Sequence, residues 1–324
     1  MPLYLIRLLA LGIIGYFGSA FFKSDKKFQI TSKSNCDDAF KQFNLLITIR
    51  PEKVVKLRRA HNTIRKKITD YFNKTAKIPV PSFFIQGSYK TKTIIENSNT
   101  LCDIDLGVFF SEDPGVYPDT LQNHIKKALN GHTSRGVEIK TNCVRLNYVS
   151  DFHIDLPIYY QDKYSNKIYF GRRGHHWEQS DPKEFVNWFR TATYGKPQLV
   201  RIIRYLKAWA DNAKTNSGRK LPSGLALTLW AIEFYESSKR DDIAFFKTSI
   251  GILNYLSDNF KGSWTAEMPV EPYDNVLDRL NSTQKSFFYN EFKEMISISA
   301  DTVSASSKSE ALKNWKQIFG YRFK

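Results

Sequence analysis

Residues 83–110 read FFIQGSYKTKTIIENSNTLCDIDLGVFF. Phe83 to Gln86 is an apolar run that suits a buried strand. Gly87-Ser88 follows at once, and Ser88 to Ile95 is expected to open a helix. A glycine lets the backbone approach a ligand closely, and free N–H groups at a helix start attract phosphate. Leu101 to Phe110 is then apolar apart from Asp103 and Asp105. Strand residues two apart point to one side, so these aspartates share a face while Cys102, Ile104 and Leu106 take the other. Aspartate is a poor strand former, and two on one face repel unless a cation lies between them. The stretch implies a divalent-metal site beside a phosphate cradle.

A third acid extends the pattern. Val144 to Ser150 and Phe152 to Tyr160 are expected to be paired strands joined by a short turn. In FHIDLPIYY, Ile154, Leu156 and Ile158 alternate with His153, Asp155 and Pro157, which puts Asp155 on the polar face. Three carboxylates from neighbouring strands can hold two Mg²⁺ ions by oxygen ligation, with Mn²⁺ as a substitute. One ion would activate an attacking hydroxyl and the other would hold a nucleoside triphosphate. Each aspartate alone is more simply a solvated strand residue; the specificity lies in the joint pattern of G-S, D-x-D and a later h-x-D-h.

Gly87-Ser88, Asp103-Ile104-Asp105 and Asp155 resemble the core of the polymerase-β-like nucleotidyltransferases. Later motifs resemble, more narrowly, the cGAS/DncV-like nucleotidyltransferases, the bacterial second-messenger synthases of CBASS anti-phage systems. Trp177, Ser180, Asp181 and Pro182 match the family's W-x-x-S-D-P. Leu206-Lys207-Ala208-Trp209 and Pro222-Ser223-Gly224 match its L-K-x-W and P-S-G, and Trp315 to Gly320 its terminal W-x-x-I-F-G. The resemblance covers about residues 35–324. It implies an α+β fold: a mixed sheet with a long spine helix, fused to a C-terminal helical lobe. The implied domains are an apolar segment at 1–30, a catalytic core at 31–190 and a lobe at 191–324 closing over the nucleotide.

The chain has 324 residues and is 42% hydrophobic, enough for two fused lobes. A formal charge of +16 points to anionic partners, although much of it serves solubility equally well. Cys36, Cys102 and Cys143 are too scattered for a disulfide framework or zinc ribbon, which suits a reducing cytosol. Residues 3–22 are strongly apolar and are followed by Lys23, Lys26 and Lys27. They read either as a membrane anchor that keeps the body on the cytoplasmic side or as an extension from a start codon called too early, since relatives begin near position 30. A signal peptide is disfavoured, because a secreted enzyme would meet no nucleoside triphosphates.

Pro51 should start a long helix reaching about Asn73, with Val54, Leu57, His61, Ile64, Ile68 and Tyr71 on its core stripe. Its outer face carries Lys53, Lys56, Arg58, Arg59, Arg65, Lys66 and Lys67. A solvated face accounts for these; a nucleic-acid or membrane surface is the alternative. Further expectations are a helix at 120–129, one strand over 137–147 and a short strand at 167–170. In the loop GRRGHHW, adjacent His175 and His176 point apart and no metal is expected there. Asp181-Pro182 should cap the next helix. Helices are also expected over 198–213, 225–235, 242–260, 282–299 and 304–319. Asp274-Asn275 should cap one more, after the proline-rich loop.

The resemblance implies roles residue by residue. Gln86, Gly87 and Ser88 would cradle the triphosphate; Asp103, Asp105 and Asp155 would bind metal and catalyse; Lys207 and Ser223 would bind the phosphate tail. A plain N-cap explains Ser223 equally well from the residues alone. The implied activity is template-independent: a ribose hydroxyl of one nucleoside triphosphate, purine by expectation, attacks the α-phosphate of another, and a second round closes a cyclic di- or trinucleotide. The product would act on a CBASS effector, with a nucleic-acid activator not required but not excluded. Two alternatives stay open: a transferase that modifies an RNA or protein acceptor, and a non-catalytic nucleotide-binding module. Base choice, linkage and ring size are not encoded in these motifs.

Overall fold

The computed structural model describes residues 29–96, 102–149, 152–259 and 263–324. The apolar segment 3–22 lies outside the described residues, and so do both expectations attached to it. Among the described residues no helix is long and apolar enough to cross a membrane. The chain forms two compact units, one of residues 48–191 with 270–272, the other of residues up to 47 with 192–269 and 273–324.

The first unit is built on an eight-stranded mixed sheet. Strand β1 (Ser82–Gln86) runs antiparallel to one edge of the long β2 (Cys102–Phe110). The other edge of β2 runs parallel to β5 (Phe152–Leu156) and then to β6 (Ile158–Gln161). These two continue one another across Pro157, whose carbonyl accepts the Val108 N–H at 2.8 Å. Proline has no N–H to donate, so the ladder breaks there without leaving a buried donor. Beyond β5 lie β4 (Val144–Asn147) and β3 (Val137–Ile139); beyond β6 lie β7 (Ile168–Gly171) and β8 (Glu178–Gln179).

One face of this sheet is sealed. Ile104, Leu106, Val108, Ile154, Leu156 and Ile158 are fully buried against Leu57, Ile64 and Ile68 of the spine helix and Leu121, Ile125 and Leu129 of α4 (Pro118–Leu129). The spine helix α2 runs Pro51–Tyr71, with proline in its first turn, and continues as a π-turn over Phe72–Ala76. The strand expected over 137–147 is instead a hairpin, because Lys140 to Cys143 turn the chain and Lys140 N–H bonds the Cys143 carbonyl at 2.9 Å. The helix expected from Ser88 to Ile95 is a single turn, α3, at Gly87–Lys90. The Ser88 carbonyl accepts from Thr93 and Ile94 at 2.9 and 3.0 Å and closes that turn back on itself. The β-branched residues that follow it are poor helix formers.

The second unit is helical. It contains α1 (Asp37–Ile47), α6 (Pro197–Ser217), α7 (Gly224–Glu233), α8 (Asp241–Asp258), α9 (Ser282–Val303) and α10 (Lys308–Phe319). Residues 37–47 belong here by their contacts, which differs from the boundary expected at 31. The cause is visible in Phe40, fully buried and edge-on to Tyr205, Trp315, Phe319 and Phe323. Asn281 and Gln284 form a capping box for α9. The helix expected after Asp274-Asn275 is absent among the described residues. Asn275 Oδ1 accepts from Ala266 and Leu277 instead, pinning a series of turns.

Candidate active site

The sheet face opposite the sealed core carries the expected acids. Asp103 is exposed and Asp105 partly so, while Cys102, Ile104 and Leu106 between and beside them are buried. Gln86 faces Asp105 across one edge of β2, Asp105 faces Asp155 across the other, and Asp155 faces Arg145 of β4. Cross-strand partners share a face, so Gln86, Asp105, Asp155 and Arg145 form one row over four strands. Asp103 lies one step along, opposite His153.

Gly87 ends this row at its β1 edge. Its φ is +64°, and a Cβ there would overlap Oδ2 of Asp105. Only glycine admits both the left-handed backbone and this close approach. The peptide beginning α3 is thus held against the acid row. Since α3 is one turn, its dipole is short, and any anion held here would meet backbone N–H groups rather than a long helix end. Gln86 is buried and donates from Nε2 to the Tyr159 hydroxyl at 2.9 Å. Its Oε1 is buried with no partner among the described residues.

Burial, then the charges of Asp155 and Asp103, push the Asp105 carboxyl up to about 7, with Arg145 opposing them. Arg145 closes a fork on Asp155, Nε to Oδ1 and Nη2 to Oδ2, both at 2.7 Å, and its Nη2 stands 3.1 Å from Asp103 Oδ1. Burial raises the Cys143 thiol, with Asp155 the next cause. Among the described residues no group of three His, Cys, Asp or Glu is already arranged to hold a metal ion. The donor set nonetheless suits a hard cation: carboxylate oxygens from adjacent strands, one of them disfavoured in its charged form by burial and then by its acidic neighbours.

Further along the same face, Phe84, Phe109, Tyr159 and Phe170 form a small aromatic cluster. Lys183 lies over the Phe109 ring at 3.4 Å. Its helix, α5 (Pro182–Ala192), is capped as expected: Asp181 Oδ1 accepts from Lys183 and Glu184 at 3.0 and 2.9 Å.

The helical unit holds the other two expected residues and brings them together. A Cβ on Gly224 would lie 3.1 Å from Cε of Lys207, so the lysine stem packs at the start of α7. Ser223 is the N-cap of that helix, its hydroxyl accepting from Ala226 at 3.2 Å. Desolvation, then Arg204, brings the Lys207 ammonium down to about 7. The terminal W-x-x-I-F-G packs as an anchor within this unit: Trp315 and Phe319 are buried, and Asn212 donates to the Ile318 carbonyl at 3.0 Å.

Sequence reasoning did not single out Arg145 or Tyr159. The alternation of VRLN at 144–147 carried a signal for Arg145, but its meaning depends on the register opposite Asp155.

A mixed sheet presenting a Gly-Ser turn against two acids on one strand and a third on its parallel neighbour defines a nucleotidyltransferase fold. Residues 81–159 match the family model described as cyclic GMP-AMP synthase DncV-like, nucleotidyltransferase domain. A cyclic GMP-AMP synthase of Escherichia albertii is 29% identical over 188 residues, 54% of this chain and 42% of that protein. The chain therefore spans under half the length of that relative. A cyclic AMP-AMP-AMP synthase of an Acinetobacter species is 22% identical, over 82% of this chain and 78% of that one. Among solved structures, Vibrio cholerae DncV aligns with a TM-score of 0.74 at 18% identity, covering 90% of this chain and 97% of that one. CdnG of Bradyrhizobium diazoefficiens, solved with GTP, aligns with a TM-score of 0.75 at 14% identity, covering 89% and 95%. At such identities the structural likeness is one of fold. Residues 81–159 thus match the DncV-like nucleotidyltransferase domain family, and the fold around them is that of DncV and CdnG.

Proposed function

We propose that this chain joins nucleoside triphosphates, without template or primer, into a cyclic di- or trinucleotide. The observation that supports this most directly is the row of Asp105 and Asp155, with Asp103 beside it and the Gly87 peptide held against Asp105. A ribose hydroxyl oxygen of one nucleotide would bond to the α-phosphorus of another. The bond from that phosphorus to the bridging oxygen would break, pyrophosphate would leave, and the hydroxyl proton would pass to water. Repetition within the linear product closes the ring. Asp103, Asp105 and Asp155 would hold Mg²⁺, two ions in all, which lowers the hydroxyl pKa and neutralises the leaving pyrophosphate. Gln86, Gly87 and Ser88 would position the phosphates through the Gln86 amide, the backbone N–H groups and the serine hydroxyl. Lys207 would supply charge to the phosphate tail; Ser223, although it caps α7, keeps a hydroxyl proton to donate.

The relatives' names specify products built from AMP and GMP, which supports purine triphosphates as substrates here. A CBASS setting, in which the product activates an effector during phage infection, fits this family. Its need for nucleoside triphosphates places the enzyme in the cytoplasm, with attachment to the inner membrane face by residues 3–22 as the variant to test by fractionation. An acceptor-dependent transferase is the second reading, favoured by the exposed Lys56, Arg59, Lys66 and Lys67 on α2.

The test is incubation of the purified chain with Mg²⁺ and four radiolabelled nucleoside triphosphates, without primer, followed by phosphatase. Phosphatase-resistant small products, lost in Asp103→Ala/Asp105→Ala, are the expected result. Product only when RNA or protein is added would transfer the proposal to the second reading.

A further inference from the structure

Arg145 belongs to the strand flanking β5 on the side away from β2, in register with Asp155. Its guanidinium engages both oxygens of Asp155 and also reaches Oδ1 of Asp103. One delocalised cation thus spans two of the three carboxylates. Its side chain is 25% exposed, against 13% for Asp155, so the fork is partly withdrawn from water. A bidentate guanidinium–carboxylate pair in such a place is strong and directional. It is not needed to hold the strand, because β4 pairs with both β3 and β5 along its backbone.

The consequence concerns competition. A hard cation that takes oxygens from Asp103 and Asp155 takes oxygens that Arg145 engages. It also meets the guanidinium as a like charge a few ångströms away. A triphosphate changes both terms, since it brings negative charge to share the cation and offers the guanidinium another bidentate partner. We propose that Arg145 is a positioning residue that acts as an internal counter-cation. It keeps Asp155 and Asp103 aligned and resists divalent metal until a triphosphate is present, so that metal and nucleotide load together. This inference rests on reading the three aspartates as the metal site.

The experiment is a titration of the full chain with Mn²⁺, read as the Mn²⁺ retained with the chain in equilibrium dialysis, with and without inorganic tripolyphosphate at equal concentration on both sides. Wild type is expected to bind Mn²⁺ weakly alone and at least tenfold more tightly with tripolyphosphate. Arg145→Gln is expected to bind Mn²⁺ alone about tenfold more tightly than wild type, which narrows that gap. Arg145→Lys, which keeps the charge but not the fork, should fall between them; it decides the matter if the glutamine variant does not fold. A merely structural role for Arg145 predicts weaker binding in both variants. Affinity without tripolyphosphate that is unchanged or weaker in the folded variants, while still abolished by Asp103→Ala/Asp105→Ala, overturns the proposal for Arg145 alone. Mn²⁺ binding indifferent to loss of Asp103 and Asp105 overturns the metal-site reading beneath it.

Discussion

Lys207 sits with its stem against Gly224, and desolvation together with Arg204 holds its ammonium near 7. At about pH 8 most of it is neutral before any anion binds, whereas at about pH 6 it is already charged. A phosphate group that binds there favours the charged form and draws a proton from solution. Titration calorimetry with tripolyphosphate, in buffers of differing ionisation enthalpy, should therefore show proton uptake that grows from about pH 6 to about pH 8. The difference between wild type and Lys207→Met isolates this contribution from the protons of tripolyphosphate itself. Equal uptake by both proteins would remove Lys207 from the phosphate site. The lysine was legible in the sequence through its motif, but its depressed basicity was not. That property comes from the stem's burial against a helix start seventeen positions further on, and then from Arg204.

At the scale of elements, the spine helix carries a second titration. His61 is buried on its core stripe, and burial followed by Arg65 lowers its pKa to about 4. The unfolded chain has an ordinary imidazole near 6.5. The folded state therefore holds its full advantage above that pH and loses it as pH falls from about 6.5 toward 4. The loss by about pH 4.5 should be on the order of 2–3 kcal/mol. Urea unfolding at about pH 7.5 and pH 4.5 should show this decrement shrinking in His61→Leu, which isolates it from carboxylates titrating in the same range. A decrement of the same size in both proteins would mean that His61 stays neutral in neither state. The spine helix itself was readable, because apolar residues recur at helical spacing behind Pro51. So were the acids of β2 and β5, because strand alternation fixes which side chains share a face. The hairpin at 137–147 was not readable, since a turn built from Lys140, Thr141, Asn142 and Cys143 has no glycine or proline to mark it. Arg145 was missed with it, since cross-strand partners follow from register and register follows from the turn.

Across the whole molecule, the helical unit draws its core from distant parts of the sequence. Phe40 and Phe43 of α1 pack with Tyr205, Phe245, Phe319 and Phe323. A polar knot fixes the same junction: Arg201 forks onto Asp241, Asp241 N–H bonds Asp37, and Arg240 holds the Thr31 and Ser34 carbonyls. Phe40→Ala should cost about 3–5 kcal/mol, as for other buried aromatics. The loss should appear as melting of the helical unit in hydrogen exchange, with the α2 and β2 amides keeping their protection. Equal loss in both units would mean that they unfold as one. Sequence alone placed residues 37–47 with the sheet, because order along the chain says nothing of which aromatic cluster a short amphipathic helix will join.

This arrangement has a consequence for synthesis. During translation α1 leaves the ribosome long before its aromatic partners Trp315 and Phe319 are made. The segment between α1 and α6 contains all of the sheet unit except residues 270–272, so that unit can form while Phe40 and Phe43 still await their partners. For that interval the growing chain exposes the apolar side of an amphipathic helix that nascent-chain chaperones would bind, and a ribosome stalled before α10 would carry a formed acid row and an unfinished helical unit.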